Sequence, residues 1–337
     1  MSTGSALTTP EVAGEGFANL ARRRRGFRRF LRDRSAVVGM AVVVLFVFGA
    51  ITAPWLAPHP PNATDFANRF APPSMDHFLG TDHVGRDEFS RILHGARLSL
   101  GMAITATAGI TVLGILLGMI AGMYGRLADS VIMRIVEVLQ SLPLLILALV
   151  VVGLLGQGLR NLILTIAAIG WTGYARIVRG MTFKLRDQEY VQAAQAVGAS
   201  RLRIILRHIA PNLVGPVVVL STLNMGSVLL AVSGLSFLGF GVAPPTAEWG
   251  AMVSEARAYL DKAPMLLAWP GLAITLMVLA FNLAGDGLRD FLDPRTAEDS
   301  PGWERRRRTR RGRRPATTPA RGAATDLPIE DELPAPR

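Results

Sequence analysis

The sequence holds 337 residues, 50% of them hydrophobic, with a formal net charge of +11 and no cysteine. Apolar content of this kind, gathered into several long runs, excludes an ordinary soluble domain and points to an integral membrane protein. Without cysteine there is no disulfide scaffold, thiol nucleophile or cysteine metal cluster, and with Lys184 and Lys262 as its only lysines the chain carries its positive charge on arginine.

Residues 1–21 are small and polar without apolar periodicity, and read as a disordered cytoplasmic tail. The region 22–75 opens on a basic block, Arg22 to Arg25, Arg28, Arg29, Arg32 and Arg34, followed by an apolar run from Ala36 to Pro54. A basic block before an apolar run also suits a signal peptide, and Arg28 and Arg29 superficially fit a twin-arginine signal. At about 18 residues the run is too long for a usual signal core, so a retained first span is expected, with its N-terminus in the cytoplasm. Residues 76–96 form an external loop motif in which Gly80, Asp82, Gly85, Arg86, Asp87, Ser90 and Arg91 alternate acid and base on glycine hinges. This loop either contacts another protein or pairs its own charges. His83 beside Asp82 and Asp87 offers one imidazole among carboxylates, too little for a metal centre, and no metal site is expected.

Residues 97–290 supply five further spans. The second runs from Leu98 to Met123 and is broken by Gly101, Gly109, Gly114, Gly118 and Gly122, which suits close helix packing in lipid. The third runs from Val131 to Leu155 with Glu137, Gln140 and Pro143 in one half. Glu137 costs about 2.5–3.5 kcal/mol at a bilayer centre and less near an end, so it is expected to face protein and pair with Arg134. The fourth runs from Arg160 to Val178, the fifth from Pro211 to Val232 and the sixth from Leu266 to Leu283.

Between the fourth and fifth spans, residues 187–212 read as two short helices with a corner. Asp187 is expected to cap the first, Gly198 to end it in the left-handed conformation, Ser200 to cap the second and Pro211 to stop it. Tyr190, Ala193, Ala194 and Val197 share one face of the first helix. Leu202, Ile205, Leu206 and Ile209 repeat the spacing on the second, against Arg201, Arg203 and Arg207. A helix pair with small residues on one face is suited to a groove on another protein. After the fifth span, Gly234, Phe237, Gly239, Gly241 and Trp249 mark an apolar turn too punctuated to span, read as re-entrant or interfacial. Residues 291–337, with Arg305 to Arg308, read as a basic, disordered cytoplasmic tail.

Five stretches of the chain resemble one family. Glu189, Ala193, Ala194 and Gly198, with Pro211 and Asn212 beyond, resemble the cytoplasmic coupling loop of bacterial ABC importer permeases. Together with the motifs at Gly80 to Arg91, Trp171 to Arg179 and Gly234 to Gly250, and with Phe281 to Pro294, they look like the C-type permease subunit of dipeptide and oligopeptide uptake systems. Ala210, where the family commonly has Leu, and Glu137, where it more often has Asp, are departures. The resemblance implies an all-α integral membrane fold of six transmembrane helices, the type I ABC importer permease fold, with a cytoplasmic coupling-helix loop.

It also implies partners: a homologous permease subunit, two ATPase subunits docked on the coupling loops through Glu189, Tyr190, Ala193, Ala194, Gly198 and Pro211, an extracytoplasmic solute-binding protein, and the bilayer. ATP and magnesium would sit on the ATPase subunits. The solute would be a dipeptide or oligopeptide; relatives also import nickel chelates or glutathione.

Independently of the resemblance, neither lysine ends a phosphate loop, and no catalytic constellation is legible. An ATP-independent carrier is disfavoured by the want of ionisable groups at mid-membrane and of a clear inverted repeat. Placing both termini in the cytoplasm of a bacterial plasma membrane sets the basic N-terminal block, Arg126, Arg134, the seven bases from Arg176 to Arg207 and the C-terminal tail on one side. Basicity is thus explained by the membrane surface, and no nucleic-acid partner is expected.

Overall fold

The computed structural model describes residues 33–292, and these are helical, with no strand and one isolated bridge between Thr81 and Asp87. The expected tail 1–21, the basic block up to Arg32 and the tail from residue 293 onward lie outside the described residues.

Helix α1 (Arg34–Leu56) starts where the Asp33 carboxylate accepts the Ser35 N–H at 3.0 Å. Its buried stripe is made of small residues, Ala36, Gly39, Gly49, Ala50 and Ala53, while Val44, Leu45, Phe48 and Ile51 face outward. That stripe lets it lie against the last helix: a Cβ on Gly39 would come 2.6 Å from Leu283 Cβ. α1 is thereby packed into the bundle.

Helix α2 (Glu88–Tyr124) has 37 residues and so extends about 55 Å, well beyond the roughly 30 Å of hydrocarbon in a bilayer. It starts ten residues before the apolar run because Asp87 caps it, its Oδ2 accepting the Ser90 N–H at 2.8 Å. From Gly109 to Gly122 the glycine ladder is a close-packing surface against α5 (Leu159–Arg186), while Gly101 faces open space. Cβ atoms on Gly114 and Gly122 would come 2.3 Å from Tyr174 Cβ and 2.6 Å from Thr182 Cβ. The rising numbers on both helices make the pair parallel, so Arg186 ends beside Gly122, donating to its carbonyl at 3.2 Å.

The third span is not one helix. α3 (Arg126–Gln140) and α4 (Leu144–Leu155) meet at 94°, because Pro143 has no N–H to continue the ladder and holds its neighbour out of helical space. Each limb alone, at about 22 and 18 Å, is too short to cross. Glu137 does pair with Arg134, at 3.1 Å, but both are exposed rather than packed on protein. α3 is anchored elsewhere, by a bidentate pair between Asp129 and Arg179 of α5, whose guanidinium also covers the Phe183 ring.

After α6 (Glu189–Ala196) the chain turns and rises as α7 (Arg201–Ile204), a π turn (Ile205–Ile209) and α8 (Ala210–Leu235), continuous until the break at Gly239. Pro211 therefore does not stop the second short helix. The π turn ahead of it widens the backbone, with Ala210 N–H bonded to the Ile205 carbonyl, and the proline sits in the first turn of α8 where a missing N–H is tolerated. α9 (Trp249–Ala256) is short, and α10 (Met265–Leu292) runs antiparallel to α1 and α8, with Gly285 against Leu223 and Gly226 against Val278. Among the described residues, five helices are long and apolar enough to cross a membrane, six if the bent α3–α4 pair counts as one span.

Candidate functional site

The sequence motifs fold into two clusters at opposite ends of α2 and α5: a cap at the α2 N-terminus and an elbow at the α5 C-terminus.

The cap is built on a tight turn. Asp82 accepts the N–H groups of Val84 and Arg86 on one carboxylate oxygen, each at 2.9 Å, and Gly85 sits at φ +82°. Gly85 is required there because a Cβ would fall 1.7 Å from the Asp65 carbonyl oxygen. Gly80, at φ +81°, makes a second such bend against the Ala71 carbonyl. The turn aims Arg86 and Arg91 inward, where both meet Glu255 of α9, at 2.5 and 3.3 Å, and Arg86 also reaches Asp82 at 2.5 Å. Asp82, Arg86, Asp87 and Arg91 are all buried. The charges of the external loop motif are thus paired among themselves and with Glu255, in a network turned into the protein.

The turn after α8 closes this cap. Ser236 to Phe240 form a π turn that breaks at Gly239, with φ +90°, and Ser254 donates to the Phe237 carbonyl at 2.8 Å. Gly241 lies so close to Ser236 that a Cβ would come 2.2 Å from its Oγ, while Gly234 sits in the last turn of α8 with open space around its Cα. Glu248 is fully buried and caps α9, accepting the N–H groups of Gly250 and Ala251 at 3.0 and 2.9 Å and the Ser99 hydroxyl at 2.9 Å. Trp249 is fully buried too; its indole N–H donates to the Ile92 carbonyl at 3.1 Å and its ring meets Phe46 of α1 edge-on. Arg91 donates to the Pro245 carbonyl at 3.1 Å, so the two outer motifs form one site. Sequence reasoning missed Glu255 and Glu248, and Ser99 with them. Glu255 stands alone in α9, and only the fold brings it to an arginine far away in sequence.

His83 lies over the Tyr259 ring, centroids 4.7 Å apart, and burial holds its imidazole below the ordinary pKa, with Asp82 acting the other way.

The elbow differs at every point. Asp187 ends α5 and lies 3.6 Å from Arg186 instead of capping α6, whose N-cap is Gln188 without a side-chain bond. Gly198 has φ +83°, and behind it Ala199 N–H bonds to the Ala194 carbonyl at 3.0 Å, the helix-ending geometry expected. Ser200 Oγ accepts the Arg203 N–H at 3.4 Å, capping the rising helix. Inward, Val191, Ile204, Ile205 and Ile209 pack against Met119, Met123 and Val178. Outward stand Tyr190 at 45%, Val197 at 86%, Leu202 at 60% and Leu206 at 63% exposure, with Glu189 and Ala193 exposed and Ala194 half-buried beside them. Pro211 is exposed on the same rod, and Asn212 links the limbs by donating to the Tyr190 hydroxyl at 3.5 Å and the His208 carbonyl at 2.6 Å.

The expected faces hold in part. The Tyr190 stripe is the open side of α6, whereas the second helix splits its stripe, Ile205 and Ile209 inward, Leu202 and Leu206 outward. Val191, the residue that anchors α6, went unrecognised because alanines dominate the helix and leave its periodicity weak.

Two family models match this chain. One, described as binding-protein-dependent transport system inner membrane component, covers residues 114–298; the other, described as the N-terminal TM domain of oligopeptide transport permease C, covers residues 22–73. Among similar proteins, the nickel transport system permease protein NikC of Escherichia coli is 42% identical over 266 residues, 79% of this chain and 96% of the relative. The dipeptide transport system permease protein DppC of Alkalihalophilus pseudofirmus is 41% identical over 272 residues, 81% of this chain and 90% of the relative. The glutathione transport system permease protein GsiD of Escherichia coli is 45% identical over 270 residues, 80% of this chain and 89% of the relative.

Proposed function

This chain belongs to the family of binding-protein-dependent transport system inner membrane components and is a multi-pass permease subunit of an ABC importer, and from that premise we propose that its solute is a dipeptide or oligopeptide. The description of the second family model, as an oligopeptide permease domain, supports the peptide reading. We propose further that the elbow docks on one of two separate ATPase subunits, which hold the ATP and magnesium, and that this chain binds no nucleotide of its own. A homologous permease subunit completes the pathway, and a solute-binding protein delivers cargo at the cap end. Both termini then face the cytoplasm, in keeping with the arginines around the elbow.

The observation that carries the docking reading is the apolar surface of Tyr190, Val197, Leu202 and Leu206, left open on a knuckle whose other side is firmly packed. A displacement of that knuckle has little slack in which to be lost. α5 joins α6 across Asp187 and Gln188, and α7, the π turn and α8 run on without a break until Gly239, at the threshold of the cap. ATP-driven closure of the ATPase pair would push the elbow, and α8 would pass the motion to the turn that meets Ser254 and Arg91.

Reconstitution of the assembled complex in liposomes tests this. A dipeptide or oligopeptide with its binding protein is expected to stimulate ATP hydrolysis and uptake. Stimulation by nickel or glutathione alone would transfer the solute assignment while leaving the coupling intact. Uptake by this chain without any ATPase would overturn the coupling reading.

A further inference from the structure

The loop from α1 to α2 gathers groups that the sequence scatters. His59 lies just past the end of α1, His77 in mid-loop, and Asp87 at the N-cap of α2. His77 Nδ1 lies 2.9 Å from Asp87 Oδ1, the His59 and His77 rings stack with centroids 4.6 Å apart, and one ligating atom from each residue lies within 4.8 Å of the other two. Asp87 commits only Oδ2 to the helix cap, leaving Oδ1 for another role. His59 Nδ1 is shielded from solvent and has no hydrogen-bond partner among the described residues, while the His59 backbone is held by its N–H bond to Ser90 Oγ at 3.2 Å. A buried ring nitrogen without a partner is rare in folded proteins and calls for an explanation.

We propose that His59, His77 and Asp87 bind one divalent first-row transition ion, zinc being the reference case, with water in the fourth position. Two imidazoles and a carboxylate form a borderline donor set that suits zinc, nickel or cobalt and discriminates against magnesium and calcium. Ligand atoms around tetrahedral zinc sit about 3.3–3.6 Å apart at bond lengths of about 2.0–2.2 Å, so to close on an ion the trio draws in from its present spacing and one imidazole turns out of the stack to aim its in-plane lone pair at the metal. His77 retains some exposure, 15% of its side chain, which leaves a path for entry. The bound ion clips the end of α1 and the middle of the loop to the start of α2, stiffening the cap.

The neighbouring trio of Asp82, His83 and Glu255 has comparable spacing but a different fate. Its carboxylates already hold Arg86 and Arg91, and a cation there would have to displace a guanidinium.

The test uses the full chain purified from membranes in detergent, without a polyhistidine tag, titrated calorimetrically with zinc chloride and separately with magnesium chloride. One equivalent of zinc per chain and no magnesium is the expected result. His59→Gln and His77→Gln each weaken zinc binding at least about tenfold, while His83→Gln and His208→Gln leave it unchanged. Zinc raises the melting temperature of the wild type and not of His77→Gln. X-ray absorption on the zinc-loaded wild type, which needs no variant to fold, shows two imidazoles in a nitrogen and oxygen shell. No saturable zinc binding, binding that survives in both histidine variants, loss in His83→Gln instead, or a shell without imidazole would each overturn the proposal. The readout involves no transport, so it stands or falls apart from the identity of the solute.

Discussion

The cap and the elbow carry motifs of similar density, yet they spend their residues in opposite directions. In the cap, Asp82, Arg86, Asp87 and Arg91 turn inward, and a single carboxylate from α9, Glu255, receives both guanidinium groups. In the elbow, the motif side of α6 turns outward, and of the side chains that hold it in place Val191 and Ile204 lie outside the apolar spacing read from the sequence, while Ile205 and Ile209 belong to it. The difference teaches that a motif marks constraint without saying which way the constraint points. Charged residues on a glycine-hinged loop leave partner contact and self-pairing equally open in the sequence, and here they pair within the protein; the apolar residues near the elbow's arginines stay open, as a docking face does.

The largest effect that would sharpen this contrast comes from Arg91→Ala. It deletes a buried guanidinium with its bonds to Glu255 and to the Pro245 carbonyl, while Arg86 still neutralises Glu255, so the loss is about 3 kcal/mol and the purified subunit is expected to melt below the wild type. Wild-type melting behaviour would break the reading of the cap as a structural latch. Glu248→Ala comes next. It deletes a helix cap and leaves Ser99 without its acceptor, for a loss of about 2 kcal/mol measurable by the same thermal assay.

In the elbow the expectation reverses. Val197→Asp places a charge on the most exposed apolar side chain of the knuckle, and is expected to leave melting unchanged while weakening ATPase association at least about tenfold. Its buried counterpart Val191→Asp should instead destabilise the subunit, and equal behaviour of the two would erase the distinction between faces. Gly198→Val falls between these cases. A β-branched residue at φ +83° costs about 1–3 kcal/mol locally, so the knuckle changes angle while the spans stay folded, and ATP hydrolysis should continue without uptake.

The smallest effect is pH dependence at His83. Its folded pKa lies below the ordinary 6.5 because of burial, amid Asp82, Arg86, Arg91 and Glu255. The unfolded chain therefore takes up the proton first as pH falls. This contribution is fully present above about 6.5 and declines as pH drops from there toward the folded value. His83→Phe, which keeps the stack on Tyr259, should flatten that part of the stability profile.

Much of this was legible before any coordinates. Apolar length located α1, α2, α5, α8 and α10, and Gly198 and Ser200 declared the elbow through turn chemistry that depends only on neighbours. What was not legible depends on the third dimension. The run from Val131 to Leu155 reads as one span by hydropathy, and only the backbone consequences of Pro143 divide it. Pro211 reads as a stop, but a π turn upstream absorbs it. Glu255, Glu248, and the meeting of His59 with His77 are contacts between segments remote in sequence, which no local periodicity can announce.

The absence of cysteine offers the most direct test of the central claim, that the outward face of the elbow is the seat of a separate ATPase. Single cysteines at Val197 and Leu202, with Val191→Cys as the buried control, can be probed with a membrane-impermeant maleimide in inside-out and right-side-out vesicles, with and without the ATPase subunits. The account predicts labelling of the first two positions only from the cytoplasmic side, lost when the ATPase subunits are bound, with little labelling at 191 throughout. Labelling from the outside, or labelling indifferent to the ATPase, would contradict it.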